Sequence, residues 1–163
     1  MEITQAVLSE KQTYETEYEL ERGKPMPSLN HSRLENRFSV ALSRYEQYDT
    51  FIELSLDLKS GKGTPDICLF PATPSNWLND KIKVKEPPLL TIEILSPTQS
   101  VDELKDKIFD IYFPAGVKSC WIVVPTLKTI AVFVPKQDIR NYIGGIVKDP
   151  VFDIEVDIKE IFR

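Results

Sequence analysis

The sequence "LLTIEILSP" at residues 89–97 is a nearly continuous apolar run with one charged residue, Glu93, in its middle. Such a run predicts a strand that is buried on both faces of a sheet. Desolvating an unpaired carboxylate costs several kcal/mol or raises its pKa, so the surroundings of Glu93 must compensate its charge. A salt bridge and a metal ion are the two alternatives.

Length and composition indicate one ordinary globular domain, and we expect residues 1–163 to form it, with residues 1–30 as an N-terminal arm. The net charge of −5 argues against a protein that coats nucleic acid by charge alone. Cys68 and Cys120 lie in apolar runs and give no disulfide or zinc pattern, which is typical of a reducing cytoplasm. No apolar run approaches the roughly 20 residues of a membrane helix. We therefore expect a cytoplasmic protein without a membrane segment.

The first helix is predicted from about Ser32 to Tyr48, where Ser32 and Glu35 have the spacing of a capping box. Five apolar residues fall on one stripe of this helix: Leu34, Phe38, Ala41, Leu42 and Tyr45. Residues 13–24, "TYETEYELERGK", are compatible with an edge strand or a short helix, and the pattern does not decide between them.

A second helix is predicted from Ser100 through about Phe113, with Glu103 at the capping-box position. Strands are predicted in the segments "TFIELSLDL" (50–58), "PDICLF" (65–70), "LLTIEIL" (89–95), "SCWIVV" (119–124) and "TIAVFV" (129–134). The end of the chain alternates and then forms a short helix. This order predicts an α/β fold of the α+β type, with a mixed central sheet and helices packed on it.

Two acids, Asp66 and Glu93, stand on strands that we expect to be neighbours. If the register is suitable, the alternation of side chains lets the two carboxylates converge. Close carboxylates repel unless a proton or a divalent cation lies between them. Paired carboxylate oxygens suit a hard ion such as Mg²⁺.

Lys107 is the third member of this predicted group. On the second helix, Leu104 faces the sheet and Lys107 lies about 60° from it around the helix axis. The pattern leaves two roles open for this lysine: a structural counter-ion for Glu93, or a cation that holds a water or a phosphate oxygen in a hydrolytic site.

The "PD" at 65–66, the acid on the next strand and the nearby lysine resemble the PD-(D/E)XK nuclease superfamily. The segments "TPDICLFP", "LLTIEILSPTQS" and "DELKDKIFDIYFPAGVKSCWIVVP" look more narrowly like the Uma-two family of predicted endonucleases. The superfamily usually keeps its lysine two residues after the second acid, where this chain has Leu95. The Uma-two pattern has it on the following helix, at Lys107, and the spacing from Lys107 to Tyr112 is one residue longer than is usual in the family.

The resemblance implies a restriction-endonuclease-like fold, a mixed central sheet flanked by helices. It also implies that Asp66 and Glu93 ligate Mg²⁺ or Mn²⁺, and that Lys107 completes a site that hydrolyses DNA. It also implies a further acid near the first helix, either Glu35 or Glu19. Nucleases of this superfamily often pair to cut both strands, so a homodimer is expected.

The sequence is also compatible with other interpretations of these residues. The chain could be a catalytically inactive nuclease-fold domain that binds nucleic acid or a partner protein, or a structural domain in which the acids form only salt bridges. His31 has a packing or capping role, or it lines the pocket. Asp102 is a further candidate, although its charge also suits the start of a helix. The lysines of "KIKVK" (81–85) either block a sheet edge or contact phosphate.

Overall fold

A mixed sheet of six strands forms the centre of the structure, a computed structural model that describes residues 17–163 apart from the side chains of Tyr18 and Glu21. In chain order, the elements are α1 (Glu17–Arg22), α2 (Leu29–Leu42), β1 (Tyr48–Ile52), β2 (Leu56–Leu58), β3 (Gly61–Gly63), β4 (Ile67–Pro71), β5 (Leu90–Ile94), α3 (Val101–Lys107), a π-helical segment (Ile108–Tyr112), α4 (Phe113–Ala115), β6 (Ser119–Val124), a 3-10 turn (Pro125–Leu127), β7 (Thr129–Phe133), β8 (Arg140–Tyr142), β9 (Ile146–Lys148), β10 (Glu155–Asp157) and α5 (Ile158–Ile161).

The central sheet has the strand order β1-β4-β5-β6-β7-β8, and two small sheets pair β2 with β3 and β9 with β10. In the central sheet, β5 and β6 run parallel, whereas the other neighbouring pairs are antiparallel. Parallel strands need a crossover connection, and α3 with the helical residues after it provides one. The predicted mixed central sheet with flanking helices is therefore confirmed.

Strand β5 is buried along its whole length because helices cover both faces of the sheet. On one face, Ile92 and Ile94 belong to the same hydrophobic cluster as Phe38 of α2. On the other face, Glu93 accepts a hydrogen bond from the hydroxyl of Tyr112, in the π-helical segment. The apolar run that predicted burial on both faces is thus explained, and the carboxylate of Glu93 points to the α3 side.

Helix α2 begins earlier and ends earlier than the sequence predicts. Ser28 is the residue at its N-cap, and the Ser28 side chain accepts a hydrogen bond from the backbone N–H of His31. The predicted capping box at Ser32 and Glu35 is therefore wrong, because a second capping residue stands one helical turn earlier. The predicted apolar stripe is confirmed, and it packs against the sheet. The shift places His31 in the first turn of the helix.

The predicted single strand over residues 50–58 is wrong. It is interrupted at Glu53, whose φ of 55° lies in the left-handed region that few non-glycine residues adopt. Before the break, Ile52 is 46% exposed, whereas Leu56 and Leu58 after it are buried. The strict alternation of "TFIELSLDL" therefore serves two different strands, β1 of the central sheet and β2 of a separate hairpin.

Helix α3 starts as predicted, since the Ser100 side chain caps it by accepting a hydrogen bond from the N–H of Glu103. Its continuation changes to a π-helix, in which the N–H of Phe113 donates to the carbonyl of Ile108, five residues earlier. A π-helical turn accommodates one residue more than an α-helical turn. The turn lies between Lys107 and Tyr112, the stretch in which the sequence resemblance predicts one extra residue.

Strands β3, β8 and β9 were not predicted from the sequence, whereas the short helix predicted at the end of the chain is confirmed as α5. Within the predicted arm, residues 17–22 form helix α1, and residues 1–16 lie outside the described residues. Asp157 caps α5 by accepting a hydrogen bond from the N–H of Lys159. None of the helices in the described part of the chain is long and apolar enough to cross a membrane.

Ser28→Ala is expected to lower the free energy of unfolding by about 1 kcal/mol, because it removes the side-chain acceptor at the start of α2. Ser32→Ala changes an exposed serine in the same helix and is the matched control, with an expected effect within about 0.5 kcal/mol. Urea denaturation followed by circular dichroism measures both values. Equal losses in the two variants would contradict the role of Ser28.

Candidate active site

Asp66 and Glu93 lie opposite each other at the junction of β4 and β5. The antiparallel register pairs Ile67 with Ile92 and Cys68 with Thr91. Continued by one residue, it places Asp66 opposite Glu93. Each of these acids is only 1% exposed. The structure thus brings together the two carboxylates that the sequence placed on neighbouring strands.

The Asp66 carboxylate is fully engaged by polar partners. Its Oδ1 accepts a hydrogen bond from Lys24 Nζ and lies 3.0 Å from His31 Nε2. Its Oδ2 accepts a hydrogen bond of 2.6 Å from the backbone N–H of Ile94. Burial by itself raises the pKa of this carboxyl, but the hydrogen bond from His31 and the charge of Lys24 outweigh it, so the pKa of Asp66 is lowered.

Lys24 is the cation in direct contact with the acids, and sequence reasoning missed it. The residue is 6% exposed, and its Nζ also donates to the carbonyl of Thr64 at 2.9 Å and lies 3.5 Å from Glu53 Oε1. Burial lowers the pKa of this lysine, but the negative charges of Glu93, Asp66 and Glu53 raise it by more, so the net shift is upward. No spacing rule connects Lys24 with Asp66, because 42 residues separate them. The sequence indicated only that two buried acids need a nearby cation, without indicating which residue supplies it.

Glu93 is compensated on one oxygen only. Its Oε1 accepts a hydrogen bond of 2.7 Å from the hydroxyl of Tyr112. Its Oε2 is buried and has no hydrogen-bond partner among the described residues. Burial and the neighbouring Asp66 raise the pKa of Glu93, while Lys24, Lys107 and the Tyr112 hydroxyl lower it, and the net direction is upward. A buried carboxylate oxygen without a donor is the natural position for a cation.

Glu35 and Glu53 extend the acid cluster towards α2. The guanidinium of Arg22 binds Glu53, with 2.6 Å between Nη2 and Oε2. Glu35 has no such cation, and its Oε1 is buried without a hydrogen-bond partner among the residues described. Burial and the adjacent Glu53 raise the pKa of Glu35 to about 9. Without a bound cation, burial and the nearby acids therefore keep Glu35 protonated at neutral pH, and a divalent cation would favour its ionised form. Glu53 was not among the predicted site residues, since the backbone break that places it has no pattern in the sequence.

His31 places an imidazole nitrogen, which can ligate a metal, beside the carboxylate oxygens of Asp66 and Glu35. While Nε2 faces Asp66, Nδ1 is buried 3.8 Å from Glu35 Oε1 and has no hydrogen-bond partner within the described chain. One donor atom each from His31, Glu35 and Asp66 lie within 4.8 Å of one another. This span is close to the roughly 4 Å that separates opposite ligands of an ion with bond lengths near 2.1 Å. The donor set therefore fits a divalent cation.

The other predicted residues lie at different distances from the acids. Lys107 is half-buried, and its charge acts on Glu93, but no ion pair joins it to Glu93 or Asp66 among the described residues. Glu19 and Lys107 both line a cavity of about 710 Å³ that also contacts Lys24. The Asp102 side chain is 82% exposed and pairs with Lys105, so the structure leaves it outside the group.

The comparisons with known proteins concern most of the chain. A family model described as "Uma2: Putative restriction endonuclease" matches residues 8–150. The fold is similar to a crystal structure of "a putative nuclease belonging to DUF820" from Anabaena variabilis ATCC 29413, with 25% sequence identity and a TM-score of 0.71. That match covers 85% of this chain and 83% of the other. A comparison with curated protein sequences found no match. The range of the family model contains the whole acid cluster.

Glu35→Gln is expected to stabilise the metal-free protein increasingly as the pH rises from about 4.5 towards about 9. Over this range the unfolded chain ionises Glu35 while the folded chain keeps it protonated, so the wild type loses stability and the glutamine variant does not. Urea denaturation in EDTA at about pH 6 and about pH 8.5 measures the difference. Glu46→Gln, at an exposed position, is the control, and a stability gain for Glu35→Gln that is equal at both pH values would contradict this assignment.

Proposed function

This chain belongs to the Uma2 family, as its motifs predicted, and on that premise we propose that it is an endonuclease that hydrolyses DNA phosphodiester bonds with Mg²⁺ or Mn²⁺. The observation that carries the proposal is the Asp66–Glu93 pair, with one buried oxygen of Glu93 that has no donor among the described residues. The fold relative described as a nuclease supports the same reaction class.

Asp66 and Glu93 would hold the cation, and His31 and Glu35 offer further donor atoms beside Asp66. When bound, such a cation polarises a phosphoryl oxygen and lowers the pKa of a bound water. Carboxylate oxygens suit Mg²⁺, while the imidazole nitrogen makes the softer Mn²⁺ equally acceptable.

The chain's own residues would position these acids and balance their charge. The Tyr112 hydroxyl holds Glu93 in one orientation, and because burial raises the pKa of Tyr112 well above its usual value, this hydroxyl remains a donor. The backbone N–H of Ile94 holds Asp66 in the same way. Lys107 lies at the edge of the cluster, where its ammonium group is free to approach a phosphate and stabilise developing negative charge.

A structural role for the acids is the competing interpretation, and the contacts of Asp66 favour it in part. Lys24 and His31 satisfy one oxygen of Asp66 without any metal. Glu93 favours the metal site, because a buried network that existed only for stability is expected to supply both carboxylate oxygens with a donor, and one oxygen of Glu93 has none among the described residues. The cytoplasmic location and the homodimer expected from the sequence stay predictions.

Asp66→Asn and Glu93→Gln are expected to abolish Mg²⁺- or Mn²⁺-dependent cleavage of plasmid and single-stranded DNA, because each removes a charged metal ligand. Mutation of a residue that only hydrogen-bonds to a metal ligand typically lowers activity roughly 10–100-fold. We expect the loss of cleavage activity in these two variants to be larger. Asp110→Asn, at an exposed acid of the π-helical segment, is the matched control and should cleave normally. Hydrolysis that survives in both site variants would exclude this site as its source. DNA binding by a wild type that never cleaves would favour the inactive nuclease-fold domain.

Lys107→Gln and Lys24→Gln are expected to separate catalysis from stability. Lys107→Gln should slow hydrolysis while the free energy of unfolding stays within about 0.5 kcal/mol, because Lys107 lies at the surface of a cavity. Lys24→Gln should lower the free energy of unfolding by about 3–5 kcal/mol, because it leaves buried Asp66 without its cation. Cleavage rates and urea denaturation of the two variants give both values. A normal cleavage rate in Lys107→Gln would remove this lysine from the site.

A further inference from the structure

A second cavity, with a volume of about 150 Å³, has four basic residues in its lining. Its lining includes Lys62 of β3, Lys83 of the loop between β4 and β5, and Lys107 of α3. Arg22 lines it as well, although its guanidinium binds Glu53. Among the described residues, no carboxylate side chain lines this cavity. We refer to it as the lysine cavity.

Backbone pairing holds two of these lysines next to each other. Val84 forms a parallel bridge with Leu56 of β2: its N–H donates to the carbonyl of Ser55 at 3.0 Å, and its carbonyl accepts from the N–H of Asp57 at 2.8 Å. This pairing holds the loop residue before Val84, which is Lys83, against the β2–β3 hairpin. Lys62 is the middle residue of β3 in the same hairpin. The convergence of the two lysines is therefore built into the fold.

The three lysines lack the partners that would neutralise them. None of them forms an ion pair among the described residues, although Asp57 stands opposite Lys62 in the hairpin register. The whole chain carries a net charge of −5, so this local excess of positive charge runs against its average. Ammonium groups held together without counter-charges attract an anion.

The size and position of the cavity indicate which anion. Its volume is below the roughly 300–1,000 Å³ of sites that enclose a whole small-molecule ligand, so it suits a single compact group such as a phosphate. Thr64 and Gly23 also line the cavity, and the Thr64 carbonyl accepts a hydrogen bond from Lys24, which binds Asp66. Gly23 and Lys107 line both this cavity and the larger one, which is also lined by Lys24. A chain of phosphates could therefore contact both.

We propose that the lysine cavity binds a phosphate of the DNA backbone next to the phosphate that is cleaved. This inference rests on the proposed function, because it takes DNA as the substrate. Of the three lysines in "KIKVK", only Lys83 lines the cavity. The proposal therefore assigns contact with the neighbouring phosphate to Lys83 and Lys62, while Lys107, which lines both cavities, keeps its proposed role at the cleaved phosphate.

The test measures the binding of fluorescently labelled duplex DNA by anisotropy over a range of salt concentrations, in EDTA so that no cleavage occurs. Lys62→Gln and Lys83→Gln are the site variants. Lys59→Gln in the same hairpin and Lys85→Gln in the same loop are the matched controls, since both are exposed, carry the same charge and do not line the cavity. Circular dichroism verifies that all four variants are folded.

Each site variant is expected to weaken binding and to reduce the slope of log K against log salt by about 0.9, the value for one lost phosphate contact. The controls should keep the wild-type slope. Equal effects of Lys83→Gln and Lys85→Gln, unchanged binding in the site variants, or no DNA binding by the wild type would each overturn the proposal. Because binding is measured without a metal, a protein that binds through these lysines but does not cleave would refute only the proposed endonuclease. Cleavage that depends on Asp66 and Glu93, with unchanged binding in the lysine variants, would refute only the lysine cavity.

Discussion

The buried Asp66 carboxylate is the group on which the arrangement of the candidate site depends. Its two oxygens contact the ammonium of Lys24 from the N-terminal arm, the imidazole of His31 from α2 and the backbone N–H of Ile94 from β5. A buried carboxylate that loses its cation costs about 3–5 kcal/mol, so the contact with Lys24 ties the arm to the end of the sheet. The contacts that hold the arm and α2 at the end of the sheet therefore also assemble the site.

Around this point the charges are unevenly compensated. Asp66 has hydrogen-bond donors on both oxygens, and its pKa is lowered. Glu93 has one oxygen without a donor among the described residues, and its pKa is raised. The pKa of Glu35 is raised for the same reasons, first its burial and then the neighbouring carboxylates. A divalent cation would relieve both acids. The lysine cavity has the opposite imbalance and reaches Thr64, two residues before Asp66, so the proposed cation site and the proposed phosphate site would adjoin. Such a combination would suit the hydrolysis of a phosphodiester chain.

Local patterns predicted most of the fold, and they failed where long-range contacts decide the backbone. The apolar run around Glu93 and the stripe of α2 were interpreted correctly, because burial imposes these periodicities directly on the sequence. The start of α2 was misplaced, since Ser28 and Ser32 are both acceptable caps and packing chooses between them. The break at Glu53 was missed because a left-handed glutamate is stabilised by its surroundings rather than by its own preference. The π-helical turn likewise depends on Tyr112 reaching Glu93.

By itself, the sequence determined the strands that carry Asp66 and Glu93, the helix that carries Lys107 and, through these motifs, the family. Strand alternation and helical periodicity are local consequences of burial, so they can be read without coordinates. Only the tertiary structure decided which cation neutralises Asp66. In the structure, Lys24 contacts Asp66, and Lys107 lines two cavities. Lys62 and Lys83 line one of these cavities. The reason is that Coulomb interactions depend on distance in space, and residues far apart in the chain acquire that distance only when the sheet register and the hairpin are formed.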